Sequence, residues 1–264
     1  MKSILFCYLV TAKHYKSFLL LILISLFSGC ASNGTEPDPN DPFESYNRAM
    51  FTFNDNVDQY LLKPVAKGYD FITPSFMQKG VSNFFSNLDD VIVLVNDLFQ
   101  FKFAQAASDT GRILINSTFG LLGLIDWASD IGLEKHNEDF GQTLGYWGVP
   151  SGPYFVLPFL GPSTIRDTTG LATDSTYFDP IYKELHEEFP PPSRENEQAV
   201  WGMTGLKAID TRANLLKTEK IVDEAALDRY IFIREGFLQR RENLVYDGNP
   251  PVDDQFDESD LFKD

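Results

Sequence analysis

Apolar residues recur every three or four positions in several long segments, which is the spacing of a helix with one buried face. In the first such segment the stripe comprises Phe43, Tyr46, Met50, Phe53, Val57 and Tyr60. Asp41 suits the N-cap of this helix, Pro42 suits its first position, and Glu44 can close a capping box. The pattern therefore predicts a helix that begins at Asp41.

A second strong helical pattern covers Leu88–Phe101. Asn87 suits its N-cap, and Asp89 and Asp90 would then lie near the positive end of the helix dipole. The stretch Ala104–Asp126 continues the apolar periodicity, and Gly120 and Gly123 leave open whether it forms one helix or two.

The C-terminal third predicts a short helix, Asp210–Ile221, and a longer one that Asp223 caps and that ends near Tyr246. Strand-like alternation is rare, and Tyr154–Leu157 is the best candidate. Beyond Tyr246 the chain carries seven acids against one lysine, which predicts a disordered acidic tail over 247–264. The expected fold is therefore all-α, with one domain over 41–246.

One long stretch, Gly141–Ile165, contains no charged residue and no histidine over 25 positions. Its length would suit a membrane span, which needs roughly 20 apolar residues. However, it contains five glycines and four prolines, which no regular helix tolerates. Irregular backbone at membrane depth must be covered by protein or line a water-filled cavity. Two interpretations remain open: an ordinary buried loop system, or the wall of a passage beside a membrane.

The N-terminus predicts export and lipidation. Residues 1–29 combine a basic leader with a ten-residue apolar run, Phe18–Phe27, which is typical of a signal peptide. The following Leu26–Ala31 resembles a bacterial lipobox, with Cys30 as the lipidated residue, although a plain secretory signal cleaved near Ala31 is an alternative. Lipoproteins of this kind that lack Asp after the cysteine are directed to the outer membrane.

Only two cysteines occur, Cys7 in the leader and Cys30. The body therefore has no disulfide, thiol nucleophile or cysteine zinc site. The polar segment Ala31–Asn40 would act as a tether that reaches at most about 33 Å. A lipid at Cys30 would consequently hold the folded body against the membrane.

The net charge excludes one class of partner. The full chain carries −16, and because the leader holds three lysines and no acid, the remainder carries −19. Nucleic-acid binding needs a basic surface and is excluded. A polybasic membrane patch is also absent, so membrane contact must come from acyl chains and apolar surface. The 23 phenylalanines suit both a core and a membrane interface.

Candidate catalytic chemistry is sparse. His136 and His186 lie in charged surroundings, and Ser151 lacks the nucleophile-elbow motif, so hydrolysis is not favoured. We predict no cofactor and no metal. Arg234 and Arg240 on the last helix could contact a headgroup phosphate. Pairing of the arginines of this helix with neighbouring acids is the favoured interpretation.

Several ordered motifs resemble the MlaA (VacJ) family of outer-membrane phospholipid-transport lipoproteins. They include Asp41–Arg48, Val81–Phe84, Asp139–Asp167 and Thr211–Ala213, and the resemblance extends to Tyr246. It implies a ring-shaped helical domain with an irregular Gly/Pro-rich, hairpin-like segment, set in the periplasmic leaflet. It also implies an amphipathic channel that passes phospholipids to a soluble periplasmic carrier, association with a trimeric porin, and no chemical step.

With this resemblance, the passage interpretation of the charge-free stretch is favoured. The candidate lining residues are Leu144, Tyr146, Val149, Tyr154, Phe155 and Leu157. The residues expected to shape the loops are Gly141, Gly145, Gly148, Pro150, Pro153, Pro158 and Pro162. Phe51, Phe53 and Asn54 are expected to position the ring and gate the passage. Two other classes remain: a structural lipoprotein that binds porin or cell wall without transporting lipid, and, less favoured, a phospholipase.

Overall fold

The computed structural model describes residues 41–182 and 193–251. The predicted signal peptide, Cys30, the tether, His186 and the tail beyond residue 251 lie outside this part. Its helices are α1 (Glu44–Val57), α2 (Lys63–Ile72), α3 (Ser75–Phe99), α4 (Phe103–Thr118), α5 (Trp127–Asp130), α6 (Phe140–Tyr146), α7 (Ile165–Thr173), α8 (Arg194–Ala225) and α9 (Arg229–Val245). Two short strands, β1 (Tyr154–Leu157) and β2 (Gly161–Thr164), pair in the middle of the chain.

The first helix begins later than predicted, and Asp41 does not cap it. Phe43 occupies the N-cap position of α1 and makes no side-chain cap bond. Asp41 is instead buried, where its carboxylate accepts hydrogen bonds from Asn47, Tyr230 and Arg234. Asp41 therefore makes tertiary contacts instead of capping the helix, and the local spacing of residues cannot predict such contacts.

A π-helical turn, Asp58–Leu62, joins α1 to α2 without a break in the helical path. Pro64 lies in the first turn of α2, where its missing N–H costs least. Pro74 ends this run, because the residue before a proline is driven out of the helical region and Thr73 is extended.

The long helix α3 corrects the prediction that Asn87 is an N-cap. Asn87 lies in the middle of α3, buried, and donates to Ser117 of α4 at 3.1 Å. Asp90 is also buried in the helix middle and pairs with Arg112 and Lys135. These polar residues stabilise the packing of α3 on α4 rather than the start of a helix.

Two later helix boundaries also differ from the prediction. The helix α8 runs unbroken from Arg194 to Ala225 and so includes both the predicted short helix and Asp223, the residue predicted to cap the last helix. The cap of α9 is Asp228, whose carboxylate accepts from the backbone of Tyr230 and Ile231. Asp223 and Asp228 are both of a residue type that suits an N-cap. Asp228 is the cap because α8 ends at Ala225 and the chain turns at 226–228 before α9 begins.

The strand prediction is confirmed. Strand β1 pairs antiparallel with β2 in a register that places Tyr154 opposite Thr164 and Leu157 opposite Gly161. Phe159 in the turn between them has φ 64, and Gly161, the first residue of β2, has φ 86, so both lie in the left-handed region. The Gly/Pro-rich stretch is thus a hairpin flanked by helices, as expected.

Two small apolar cores stabilise the described part. One contains Phe85 of α3, Ile181 and Val200 of α8. The other joins the hairpin to α9 and α1, and it contains Tyr154, Val156 and Tyr230, with Met50, Phe51, Phe237 and Leu238 around them. Within the described residues, no helix has the length and apolar character needed to cross a bilayer.

Candidate functional site

A cavity in the described part has a volume of about 730 Å³. It is enclosed by α3, the segment 135–142, α7 with its following turn, α8 and α9. Its apolar lining residues are Phe85, Ile92, Val93, Leu171, Leu215, Phe237 and Leu244. Its charged lining residues are Asp89, Lys135, Glu138, Asp139, Asp174, Asp179, Lys207, Asp210, Arg240 and Arg241. We call this the main cavity, and its lining is amphipathic.

An ion cluster fixes α9 against one wall of the main cavity. Arg241 donates to Asp139 at 2.5 and 2.9 Å and to Asp167 at 2.9 Å. Asp139 also caps α6 by accepting from the backbone of Gln142. Burial alone would raise the pKa of Asp139, but the hydrogen bonds and charge of Arg241 hold it below its usual range. Asp139 therefore stays ionised at neutral pH and keeps its ion pair with Arg241.

A second cavity of about 440 Å³ lies between the charge-free stretch and the end of α9. Gly145, Gly148, Val149, Pro150 and Ser151 form one side, and Arg166, Arg241 and Tyr246 contribute to the other.

The predicted loop-shaping glycines lie at close contacts or turns. A Cβ on Gly141 would approach Arg241 and Asp167 to 2.8 Å, and one on Gly145 would lie 2.9 Å from Val245. Gly148 has φ +83, which a residue with a Cβ rarely adopts. Of the prolines, Pro162 lies within β2, opposite Val156. Pro153 precedes β1 and Pro158 follows it.

The six predicted lining residues do not share one environment. Tyr154 is 1% exposed and packs in the core at 6.4 Å from the ring of Tyr230. Tyr146 and Val149 are exposed, whereas Leu144, Phe155 and Leu157 are half-buried. Of the six, Val149 alone borders either cavity described above. The charge-free stretch therefore contributes little to the main cavity, whose wall comes mostly from helices.

The first helix holds the hairpin through two asparagine side chains. Asn47 donates to the carbonyl oxygen of Tyr154 at 3.2 Å and accepts from the backbone N–H of Val156 at 2.8 Å. Asn54 donates to the carbonyl oxygen of Leu157 at 2.8 Å and accepts from the backbone N–H of Phe159 at 2.7 Å. Phe53 packs edge-to-face on Phe159 at 5.2 Å. Phe51 makes the same kind of contact with Tyr230 at 5.8 Å. The structure thus brings the three residues predicted to position the ring onto the hairpin and α9.

The two candidate headgroup-binding arginines are separated by the fold. Arg234 is buried and pairs with Asp41 and Glu235. This is the intramolecular pairing that the sequence favoured, and Arg229 likewise pairs with Asp55. Arg240 lines the main cavity.

His136 does not form a hydrolase triad in the described part. Its Nδ1 contacts Asp109 at 2.9 Å, and no hydrogen bond links it to Ser151 within residues 41–182 and 193–251.

The α3–α4 pair has an inverted distribution of polarity. Its buried residues are mostly polar, and they include Asn87, Asp90, Asn96, Asp97, Asp109, Arg112 and Asn116. Its exposed residues and those of the adjoining turns are mostly large and apolar, and they include Leu98, Phe99, Phe101, Phe103, Leu114, Phe119, Leu121 and Leu122. Exposed apolar area on this scale marks a membrane or protein interface.

Sequence reasoning missed most of the main cavity. Lys207 and Asp210 lie on α8, where the periodic signal was weak, and Asp89 was interpreted as a helix-start acid. Each residue comes from a different element, so a search for local motifs could not group them.

Comparison with known proteins places these features in a family. The MlaA lipoprotein family model matches residues 39–244. The Escherichia coli K12 intermembrane phospholipid transport system lipoprotein MlaA is 34% identical over 233 residues, which cover 85% of this chain and 86% of that protein. The Haemophilus influenzae protein of the same name is 32% identical over 88% of this chain and 92% of its own length.

A solved structure agrees with the sequence relatives. It comes from work on the structural basis for maintenance of bacterial outer membrane lipid asymmetry. It superposes with a TM-score of 0.63 at 33% identity, and the match covers 78% of this chain and 98% of the solved one. Since the family model spans nearly all of the folded body and both kinds of relative share its length, this chain belongs to the MlaA lipoprotein family.

Proposed function

We propose that this chain is an outer-membrane lipoprotein that gives phospholipids a passage out of the outer leaflet and delivers them to a soluble periplasmic carrier. It thereby maintains the lipid asymmetry of the outer membrane. Cys30 carries the lipid anchor in the periplasmic leaflet, and a trimeric porin is its membrane partner. The observation that carries this proposal is the amphipathic main cavity beside an apolar outer surface.

The main cavity suits a lipid because it offers both surfaces that a phospholipid needs. Side chains such as Ile92, Val93 and Leu171 provide apolar contact for acyl chains. Charged and hydrogen-bonding groups on α8 and α9 face the same space and can solvate a headgroup. An apolar pocket alone would strand the headgroup, at a cost of several kcal/mol for an unpaired ion.

The α3–α4 surface supports placement of this cavity at a bilayer. A helix pair with polar contacts inside and Phe and Leu outside is stabilised when lipid replaces water around it, because its exposed apolar side chains then leave water. The protein therefore provides a path and performs no chemical step. Net flow through such a path follows the free-energy gradient that the whole transport pathway maintains.

In this proposal the hairpin, which does not line the main cavity, gates access to the passage. Asn54 hydrogen-bonds to Leu157 at the end of β1, and Phe53 packs on Phe159 in the hairpin turn. Val149, which precedes the hairpin in the chain, lines the second cavity. Loss of the contacts that Asn54 and Phe53 make with the hairpin would open the passage while the rest of the fold stays intact.

A thiol-blocking experiment tests the path. The predicted mature body has no free thiol, so a single introduced cysteine can be labelled specifically. Leu215→Cys places a thiol at the wall of the main cavity. Leu206→Cys is the matched control, an exposed leucine on the same helix that does not line the cavity. Each variant is reconstituted in vesicles, and transfer of a fluorescent phospholipid to a soluble lipid-binding acceptor is measured.

We expect a bulky maleimide on Leu215→Cys to stop transfer and the same label on Leu206→Cys to leave it unchanged. Equal transfer by both labelled variants would show that lipid does not pass the main cavity. No transfer above protein-free vesicles, even by the unlabelled chain, would favour the structural lipoprotein that binds porin or cell wall.

A further inference from the structure

The cations around the main cavity are mostly neutralised by acids of the protein itself. Lys207 pairs with Asp89 at 2.5 Å, and Arg241 pairs with Asp139. Lys135, a third cavity residue, pairs with the buried Asp90. Arg240 differs from these three, because it has no ion pair within 4.0 Å in the described part of the chain.

Three carboxylates of the same cavity lack a cation. Asp174, Asp179 and Asp210 are 4–8% exposed, and none has a cationic group within 4.0 Å among the described residues. Their partners are neutral donors, such as the hydroxyl of Tyr69, which donates to Asp210 at 3.0 Å. The described residues therefore leave three carboxylates and the exposed guanidinium of Arg240 without an ion pair around one space.

A second, independent feature of the lining points the same way. Gln142 is 2% exposed and lines the main cavity. Its Nε2 donates to the carbonyl oxygen of Asn137 and to Asp139, but its Oε1 has no donor. A buried acceptor without a partner costs about 1–3 kcal/mol, so a ligand that supplies an N–H donor would remove this penalty.

We propose that the main cavity prefers phospholipids whose headgroup carries an ammonium, with the ammonium towards the uncompensated carboxylates and the phosphate towards Arg240. This inference rests on the proposed function and adds a substrate class to it. All phospholipids bring the phosphate, and only some bring the cation. Anionic headgroups without a cation, such as that of phosphatidylglycerol, have no positive charge to place near these carboxylates, so the carboxylates repel them.

Burial disfavours the charged form of two of these carboxylates. It raises the pKa of Asp174 to about 6 and raises that of Asp179 as well. An ammonium close to either group stabilises its charged form and offsets the desolvation that causes the shift.

Bound lipid can be measured directly on the full-length lipoprotein. The protein is reconstituted in vesicles of phosphatidylethanolamine and phosphatidylglycerol in equal amounts with identical acyl chains, and then purified with its bound lipid. Mass spectrometry gives the ratio of the two lipids. Soluble glycerophosphoethanolamine, added as competitor, distinguishes a lipid ligand from a free headgroup, because it lacks the acyl chains.

We expect roughly 1.5-fold to fivefold enrichment of phosphatidylethanolamine, the range for a partly solvated ion pair. Asp179→Asn with Asp210→Asn should return the ratio to that of the vesicles while lipid remains bound. Asp130→Asn, an exposed acid on α5 outside the cavity, is the control and should keep the enrichment. Arg240→Gln should weaken binding of both lipids by the same factor. The soluble competitor should have no effect.

Each outcome decides between the two proposals. Bound lipid in the vesicle ratio, with the wild-type chain, overturns the headgroup preference and leaves the passage intact. Absence of any bound lipid contradicts the proposed function itself. If the double variant does not fold, the lipid ratio bound by the wild-type chain still tests the headgroup preference. Asp179→Asn alone then provides the comparison. We expect it to fold, because in the described structure the carboxylate of Asp179 accepts a single hydrogen bond, from the backbone N–H of Ile181.

Discussion

The α3–α4 pair and the junction of the hairpin with α1 and α9 are built on opposite rules. In the pair, polar side chains are buried and large apolar side chains are exposed. Arg112, for example, is 1% exposed, whereas Leu114 on the same helix is 60% exposed. In the junction, Tyr154, Val156 and Tyr230 form a conventional apolar core.

This difference indicates two environments for one small domain. A water-facing region gains stability by burying apolar area. A lipid-facing region cannot, because lipid is as apolar as the core, so polar contacts must provide the specificity. The junction follows the first rule, and the α3–α4 pair follows the second. The following changes test this contrast, from the largest expected effect on stability to the smallest.

The largest effect is expected at Arg112, the centre of the buried polar network. It donates to Asp90, Asp126, Ser129 and the carbonyl oxygen of Leu133. Arg112→Met removes the buried cation between Asp90 and Asp126 and leaves Asp90 with Lys135 as its only ion-pair partner in the described part, so it should lower the free energy of unfolding by about 3–5 kcal/mol. Thermal unfolding in detergent measures the change. Near-normal stability would mean that the network is not what holds the pair.

A smaller effect is expected at Asn54, which links α1 to the hairpin. Asn54→Ala removes two hydrogen bonds and should cost about 1–3 kcal/mol, confined to the hairpin. Hydrogen exchange at Phe159 should quicken while exchange in α3 stays unchanged. If the hairpin gates the passage, this variant transfers lipid faster than wild type. Asn56→Ala, an exposed residue of the same helix, is the control.

The buried acids of the α3–α4 pair predict an unusual pH dependence. Burial, reinforced by the adjacent Asp109, raises the pKa of Asp97 to about 8. The folded state therefore holds this proton more tightly than the unfolded state, and stability should fall as the pH rises from about 4 towards 8. Asp97→Asn should flatten that fall and be more stable than wild type at pH 8. A wild-type stability that rises over this range would contradict the raised pKa.

The smallest effect on stability is expected at the exposed apolar surface. Leu114→Ser and Leu122→Ser should change the free energy of unfolding by less than about 0.5 kcal/mol. Both side chains are more than half exposed. Together they should reduce partition of the unlipidated chain into vesicles, measured by flotation. Unchanged partition would mean that this surface binds another protein rather than lipid.

Local patterns in the sequence determined much of the fold. Apolar periodicity located the helical segments, and alternation found β1, because both depend on neighbouring residues. The Gly/Pro content of Gly141–Ile165 predicted no regular helix there, which was wrong for its first residues: Gly141 and Gly145 lie within α6, and only the stretch between Tyr146 and Ile165 is irregular or extended. The resemblance carried by Asp41–Arg48 and the FGQTLGYWGV motif identified the family, which the comparisons confirmed.

Helix boundaries and side-chain roles needed the tertiary structure. Asp41, Asn87 and Asp223 all have the residue type of an N-cap, and none of them caps a helix. An acid or amide can satisfy a backbone N–H nearby or a distant side chain equally well. Which of the two it does depends on what the fold brings next to it.

The site shows the same division. The charge-free stretch can be found in the sequence because its residues are consecutive. The main cavity combines Asp89, Lys207 and Arg240 from three helices, and no local signal links them. Their proximity is set by how α3, α8 and α9 pack, which is a long-range property of the whole chain. The sequence by itself therefore determined the kind of protein and its hairpin, and the tertiary structure decided which residues surround the main cavity.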